Sequence, residues 1–209
     1  HQKFIYFTSP GVFVGNSINF IILITFTNLY GEKFTGLTAA AIQYLGLVVM
    51  LFASSFSQVY YNEIAQIQQP KELFKSYTYW LKRLFILTFI GWVMLMFSPS
   101  WLVSSILGEK WEGLLAIIKI ISPWMAIMFL ASSLSFIFIR LSKQKEIFFF
   151  DIFHLILIIV ALICGYYFLN NKIQVLYLIT GIQALFYSLS ISLAFLFLKK
   201  NIKNQDLEN

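Results

Sequence analysis

The chain has 209 residues, 59% of them apolar and 19% aromatic, with only 11% charged, against roughly a quarter charged in an ordinary soluble domain. That balance excludes a soluble globular protein. The net charge of +6 does not point to nucleic acid, because Lys and Arg stand in short gaps between uncharged runs and not along one solvated face.

Uncharged runs cover 4–31, 34–62, 84–108, 120–139, 152–171 and 173–198, and a helix rising about 1.5 Å per residue crosses the hydrocarbon core in about 20 residues. The expected fold class is all-α, a polytopic bundle of six transmembrane helices. The spans are predicted at about 4–30, 34–61, 84–107, 114–139, 147–169 and 173–198. Barrel strands do not fit, since they alternate in polarity over about ten residues and Leu155 to Leu162 does not.

The first span carries Pro10, Gly11 and Gly15, which interrupt a helix, and two amides, Asn16 and Asn19; the second carries Gln43 and Gln58. Uncharged hydrogen-bonding groups within hydrocarbon either bond neighbouring helices or face a sugar-binding cavity. Both readings stay open for Asn16, Asn19 and Gln43. The next connection is the one long loop, and Pro70 is placed as the first residue of a helix running into the third span. Phe74, Tyr77 and Trp80 or Leu81 then recur at helical spacing beside Lys71, Lys75, Lys82 and Arg83. That pattern describes an interfacial helix on anionic headgroups or, alternatively, a protein-docking site. Pro99 interrupts the third span near its end, and Trp101 and Trp111 flank the following turn as an aromatic belt.

Lys119 lies about five residues inside the fourth span, a depth its long stem covers by snorkelling; the alternative is a cavity that attracts an anionic ligand. Pro123 interrupts the same span. In the fifth span Asp151 and His154 stand at i, i+3 and share a helix face. An ionisable group in hydrocarbon costs about 2.5 to 3.5 kcal/mol on insertion scales, so these two mark a candidate pathway. Either they exchange a proton or hold a cation, or Asp151 reaches headgroup water and pairs with Arg140, Lys143 or Lys145 while His154 bonds a neighbouring helix. The sixth span holds Gln183.

Orientation follows from the basic residues, which are retained on the cytoplasmic side in short loops. Lys3, Lys71, Lys75, Lys82, Arg83, Arg140, Lys143, Lys145, Lys199, Lys200 and Lys203 fall on one side, and Lys33, Lys110 and Lys172 on the other. Both ends are therefore expected in the cytoplasm. The chain starts at His1 with no charged leader, and is expected to be a piece of something longer.

Several chemistries find no residues to carry them. The one cysteine, Cys164, excludes an internal disulfide and a thiolate cluster, and two histidines give no metal site at ligand spacing. There is no glycine-rich phosphate loop and no nucleophile elbow, so the chain reads as a non-enzyme that calls for no cofactor. The stretch Gly36-Leu37-Thr38-Ala39-Ala40-Ala41-Ile42-Gln43, with Ser54-Ser55-Phe56-Ser57-Gln58-Val59-Tyr60-Tyr61 and Glu63-Ile64-Ala65 after it, resembles the seventh-to-eighth span region of polysaccharide flippases. Leu107-Gly108-Glu109-Lys110-Trp111-Glu112-Gly113, Ile120-Ile121-Ser122-Pro123-Trp124 and Ser132-Ser133-Leu134-Ser135 are similar to the turn and tenth span of the same proteins. These are the lipid-linked oligosaccharide (O-antigen type) flippases of the multidrug/oligosaccharidyl-lipid/polysaccharide exporter superfamily, and the resemblance runs from about Phe4 to Leu198.

The resemblance implies one lobe, the second, of a two-lobe carrier in a bacterial cytoplasmic membrane. Such a carrier works by alternating access and moves a prenyl-diphosphate-linked oligosaccharide during cell-surface polysaccharide biosynthesis. It implies membrane lipid, the lipid-linked substrate and an N-terminal lobe as partners, and leaves open contact with polysaccharide polymerase machinery. Asn16, Asn19, Gln43 and Lys119 are then the candidates for the cavity lining, and Asp151 with His154 for ion coupling. Two readings compete. A multidrug exporter of the same superfamily would favour an acidic cavity, for which this chain offers only Asp151. A membrane-embedded acyltransferase or sugar polymerase would need a polar catalytic cluster or a sizeable outer loop, and the sequence shows neither.

Overall fold

Gly31 stands at φ +81, a left-handed conformation that glycine adopts without steric cost, and it turns the chain in one residue from α1 (Ser9–Tyr30) into α2 (Glu32–Gln66). Its carbonyl accepts from both the main-chain N–H and the hydroxyl of Thr35, so the first turn of α2 starts satisfied. The computed structural model to which these helices belong describes residues 6–7, 9–99, 101–169 and 171–208. At 35 residues α2 is about 52 Å long, far more than a hydrocarbon core about 30 Å thick, so one end must project from the membrane. Ile67 is extended, and Pro70 opens α3 (Pro70–Met96) at its first turn, where its missing N–H is no loss.

A short helix, α4 (Trp101–Leu107), and a 3-10 turn (Glu109–Trp111) lead to α5 (Leu114–Ser133) and α6 (Phe136–Arg140); α7 (Gln144–Phe168) and α8 (Lys172–Glu208) complete the chain. Every described element is helical, and six helices are long and apolar enough to cross a membrane, α5 and α6 counting as one. The third differs in extent from the predicted 84–107. It begins at Pro70, continuous with the interfacial segment, and stops at Met96, because Pro99 has no N–H to continue a ladder. Trp101–Leu107 is a separate helix.

Between α5 and α6 the ladder tightens to i→i+3 bonds, Ser135 N to Ser132 O and Ile137 N to Leu134 O. No glycine or proline causes this. Ser133 and Ser135 hydroxyls donate to the carbonyls of Phe129 and Ser132, the back-bonding that competes with a helical ladder and bends it.

α5 is the hub. Eleven of its residues are buried against five on α7, and it packs on α2, α8 and α3. Around it the contacts run α2 to α1, α1 to α7, α7 to α8, α8 to α3 and α3 back to α2. α7 and α8 are antiparallel, since His154 meets Phe186 while Gly165 meets Val175. A Cβ on Gly165 would stand 3.0 Å from Val175 Cγ1, so glycine sets how closely these two helices approach. Two apolar cores result. One surrounds Phe26, Phe34, Leu114, Ile121 and Trp124; the other, toward the basic loops, surrounds Tyr60, Ile64, Tyr77, Leu84, Phe129 and Ile137.

Polar clasps close the second core at its basic end. Glu63 of α2 accepts from Ser76 Oγ at 2.6 Å and Trp80 Nε1 at 2.7 Å, both on α3. Arg140, ending α6, donates from Nε to the Ile64 carbonyl at 3.2 Å and from Nη2 to the Ile67 carbonyl at 2.6 Å. A guanidinium on the last carbonyls of a helix satisfies orphan acceptors and complements the helix dipole. Arg140→Gln is expected to lower stability by about 1 to 3 kcal/mol, the cost of part-buried acceptors losing a charged donor. Thermal unfolding in detergent micelles reads that loss.

Candidate functional site

Asp151 and His154 open the first half of α7, where α1 and α8 pack on it. α1 runs parallel to α7 and comes so near that a Cβ on Gly11 would lie 3.3 Å from Asp151 Oδ2. Gly11 therefore permits α1 to close over the carboxylate. Tyr187 of α8 lies within electrostatic reach of Asp151 from the other side. Arg140 and Lys143, two partners expected for Asp151, are engaged elsewhere, Arg140 on the α2 carbonyls and Lys143 with Glu146.

His154 is only 3% exposed. Its imidazole stacks on Phe186, with ring centroids 3.6 Å apart and planes 10° apart, and Tyr187 meets it edge-on. Phe150, one turn earlier, stacks on the same Phe186 at 4.2 Å, so Phe186 inserts between two rings of α7. Gln183, 1% exposed, lies beside the imidazole, yet His154 Nε2 and Gln183 Oε1 each lack a hydrogen-bond partner. Asn19 Oδ1 on α1 and Thr180 Oγ1 on α8 are buried and unpartnered as well.

Unpaired buried polar atoms cost about 1 to 3 kcal/mol each, and native structures hold few of them. Here four fall on α1, α7 and α8, of which α7 packs on both of the others. Among the described residues no three His, Cys, Asp or Glu come together, so the arrangement offers oxygen acceptors and one imidazole. Those groups suit a proton or a single hard cation in preference to a soft metal.

The other candidates lie elsewhere. Asn16 and Gln43 are exposed on the outside of the bundle, and neither amide has a hydrogen-bond partner among the described residues. Counted from the Gly31 turn at about 1.5 Å per residue they lie about 22 and 18 Å deep, both well inside a core about 30 Å thick. Gln43 belongs to a stripe of α2 with Gly36, Leu47, Met50 and Ser54, all exposed. α3 and α7 differ. Their exposed faces are Phe85, Ile86, Phe89, Ile90 and Met94 on α3, and Phe149, Phe153, Ile156, Val160 and Ile163 on α7.

Lys119 is bound within the bundle. Its Nζ donates to the Ser98 carbonyl at 2.8 Å, where α3 has ended and Pro99 follows. The cause of a second link is Pro123, which has no N–H for the carbonyl of Lys119 four residues back. Ser122 Oγ supplies the donor at 2.9 Å and itself accepts from Trp92 Nε1 of α3 at 3.0 Å. Lys119, Ser122 and Trp92 thus tie α5 to α3.

Sequence reasoning gave Ser122 no role, and it named Gln183 as a hydrogen-bonding group of its span but linked neither it nor Thr180, Phe186 and Tyr187 to His154. A serine directly before an intrahelical proline was the available signal for the first. For the second it was Thr180, Gln183 and Tyr187 at i, i+3 and i+7, one face of a helix. Comparison of the chain with protein-family models, curated proteins and solved structures finds no match.

Ser122→Ala strips donors from one group and an acceptor from another, and is expected to cost about 1 to 3 kcal/mol. Lys119→Met, which leaves the Ser98 carbonyl uncapped, is expected to cost about 1 kcal/mol, and Lys119→Arg less. Unfolding temperatures of the three variants in one detergent rank them.

Proposed function

We propose that this six-helix bundle is one lobe of a carrier that flips a prenyl-diphosphate-linked oligosaccharide across a bacterial cytoplasmic membrane, its basic side facing the cytoplasm. The observation that carries the reading is the pair of exposed amides at hydrocarbon depth. Asn16 and Gln43 stand on the outer surface of α1 and α2, whereas the outer faces of α3 and α7 are apolar. An amide facing lipid has no partner; one facing a wet cleft opposite a second lobe has water and sugar hydroxyls. The resemblance of the α2 and α5 segments to the O-antigen flippases supports the same assignment.

In the proposed carrier Asn16 and Gln43 line the cavity. Lys119 does not contribute to it, since its ammonium caps α3 at Ser98. Asp151, His154 and Gln183 form the coupling centre, where α7 packs on α1 and α8, set back from the cavity face, with Asn19 about two turns farther along α1. The competing multidrug-exporter reading needs carboxylates on the cavity face, and Asp151 instead lies against Gly11 of α1.

Asn16→Leu and Gln43→Leu are each expected to slow flipping about fivefold to tenfold, from the loss of about 1 to 1.5 kcal/mol of hydrogen bonding to sugar or water per amide. Flipping is read as depletion of lipid-linked oligosaccharide from the inner leaflet of cells expressing the protein, at matched membrane content. Phe153→Leu on the lipid face is the control and leaves flipping unchanged. Normal rates in both amide variants would remove the cavity assignment. Asp151→Asn is expected to abolish any response of transport to the proton or sodium gradient.

A further inference from the structure

The outer face of α3 changes character along a single stripe. Lys75 and Lys82 are exposed, and at helical spacing the same stripe continues through Phe85 and Phe89 to Trp92. Phe85, Phe89 and Trp92 face Pro123, Ile127 and Leu130 of α5 across an open cleft. Its polar groups are turned away from the opening: Thr88 Oγ1 donates to the Leu84 carbonyl at 2.6 Å and Trp92 Nε1 to Ser122 Oγ at 3.0 Å. What remains is a wall suited to hydrocarbon. It reaches from Lys82 down to Trp92, about 15 Å at about 1.5 Å per residue, which is one leaflet of a core about 30 Å thick.

We propose that this cleft is a binding site for an anionic diacyl glycerophospholipid. Its phosphate sits against Lys82, Lys75 adds positive potential two turns farther out, and one acyl chain lies along Phe85, Phe89 and Trp92. Charge complementarity selects the occupant, because a zwitterionic headgroup would bring its own cation to a rim that already holds Lys75 and Lys82. The wall is pre-formed, since the Trp92 to Ser122 bond fixes the indole and Pro123 fixes the backbone opposite it. The lipid would therefore join α3 to the hub helix from outside, and this site stands independently of what the protein transports.

The test is titration of the purified protein, in neutral detergent, with phosphatidylglycerol and separately with phosphatidylcholine of the same acyl chains, reading the unfolding temperature. Phosphatidylglycerol is expected to raise it by about 4 °C or more at saturation and phosphatidylcholine by less than about 1 °C. The double variant Lys75→Gln/Lys82→Gln should lose the response, while Lys199→Gln/Lys200→Gln, altered on the basic tail of α8, should keep it. Ala126→Trp, placed in the cleft itself, should lose it with every basic residue intact. Equal responses to the two lipids, a full response in the Lys75/Lys82 variant, or a larger response to a prenyl diphosphate than to phosphatidylglycerol would overturn the proposal.

Discussion

Main-chain carbonyls released where helices break or end are the constraint on which this bundle depends. Such acceptors need donors from outside their own ladder, and within hydrocarbon only the protein can supply them. Three such places hold the architecture together, and each uses a side chain from another element or another turn. At Pro123 the orphaned Lys119 carbonyl takes Ser122 Oγ. After α3, the Ser98 carbonyl takes Lys119 Nζ from α5. After α2, the Ile64 and Ile67 carbonyls take the Arg140 guanidinium from α6. Since α5 and α6 form one interrupted span, its cations secure α3 at one end of the bundle and α2 at the other. The most buried helix thus serves as a tie bar between two helices that touch each other only slightly.

This use of cations explains why ionisable residues within the spans do not all have one role. A lysine or arginine near a helix end lowers the free energy of the fold by capping, and its long stem reaches the carbonyl from the neighbouring helix. Asp151 and His154 have no such work. The carboxylate is closed over by Gly11, and the imidazole is stacked on Phe186 with Nε2 unpartnered. Groups that cost stability where they stand are candidates for function, whereas groups that relieve an unpaired carbonyl belong to the fold.

The helices themselves were legible in the sequence because hydrocarbon permits so few solutions. Runs of uncharged residues long enough to cross the core predict six spanning helices, and Pro70 predicts the start of α3. The end of α3 was harder to read. Residues 84–107 are apolar almost throughout, and only Pro99 marks where the ladder stops. Site residues were legible by type more than by direction. Asp151 with His154 emerged as a pair from their spacing, but an isolated helix does not reveal that Phe186 of α8 inserts beside them, a contact between residues 32 apart in the chain. Asn16 and Asn19 show the same limit. Three residues apart on α1, they look equivalent in the sequence, yet one is exposed and the other has its Oδ1 buried.

α1 is the element through which the two proposed activities of the lobe would communicate. Gly11, at its start, rests on Asp151 of α7, and Asn16, five residues on, stands on the outer surface proposed to line the cavity. Five residues of helix span about 7.5 Å, and both lie on one helix that runs unbroken from Ser9 to Tyr30. In the proposed carrier, occupation of the carboxylate by a proton or cation would change the charge beneath Gly11, and α1 is the helix that lies against it. Among the described residues neither capping cation, Lys119 or Arg140, bonds to α1, whereas they tie α3 to α5 and α2 to α6. A displacement of α1 against that fixed frame carries Asn16 with it. In the proposed carrier the capped α5 would be the frame against which a charge at Asp151 is expressed at the cavity and not dispersed through the bundle.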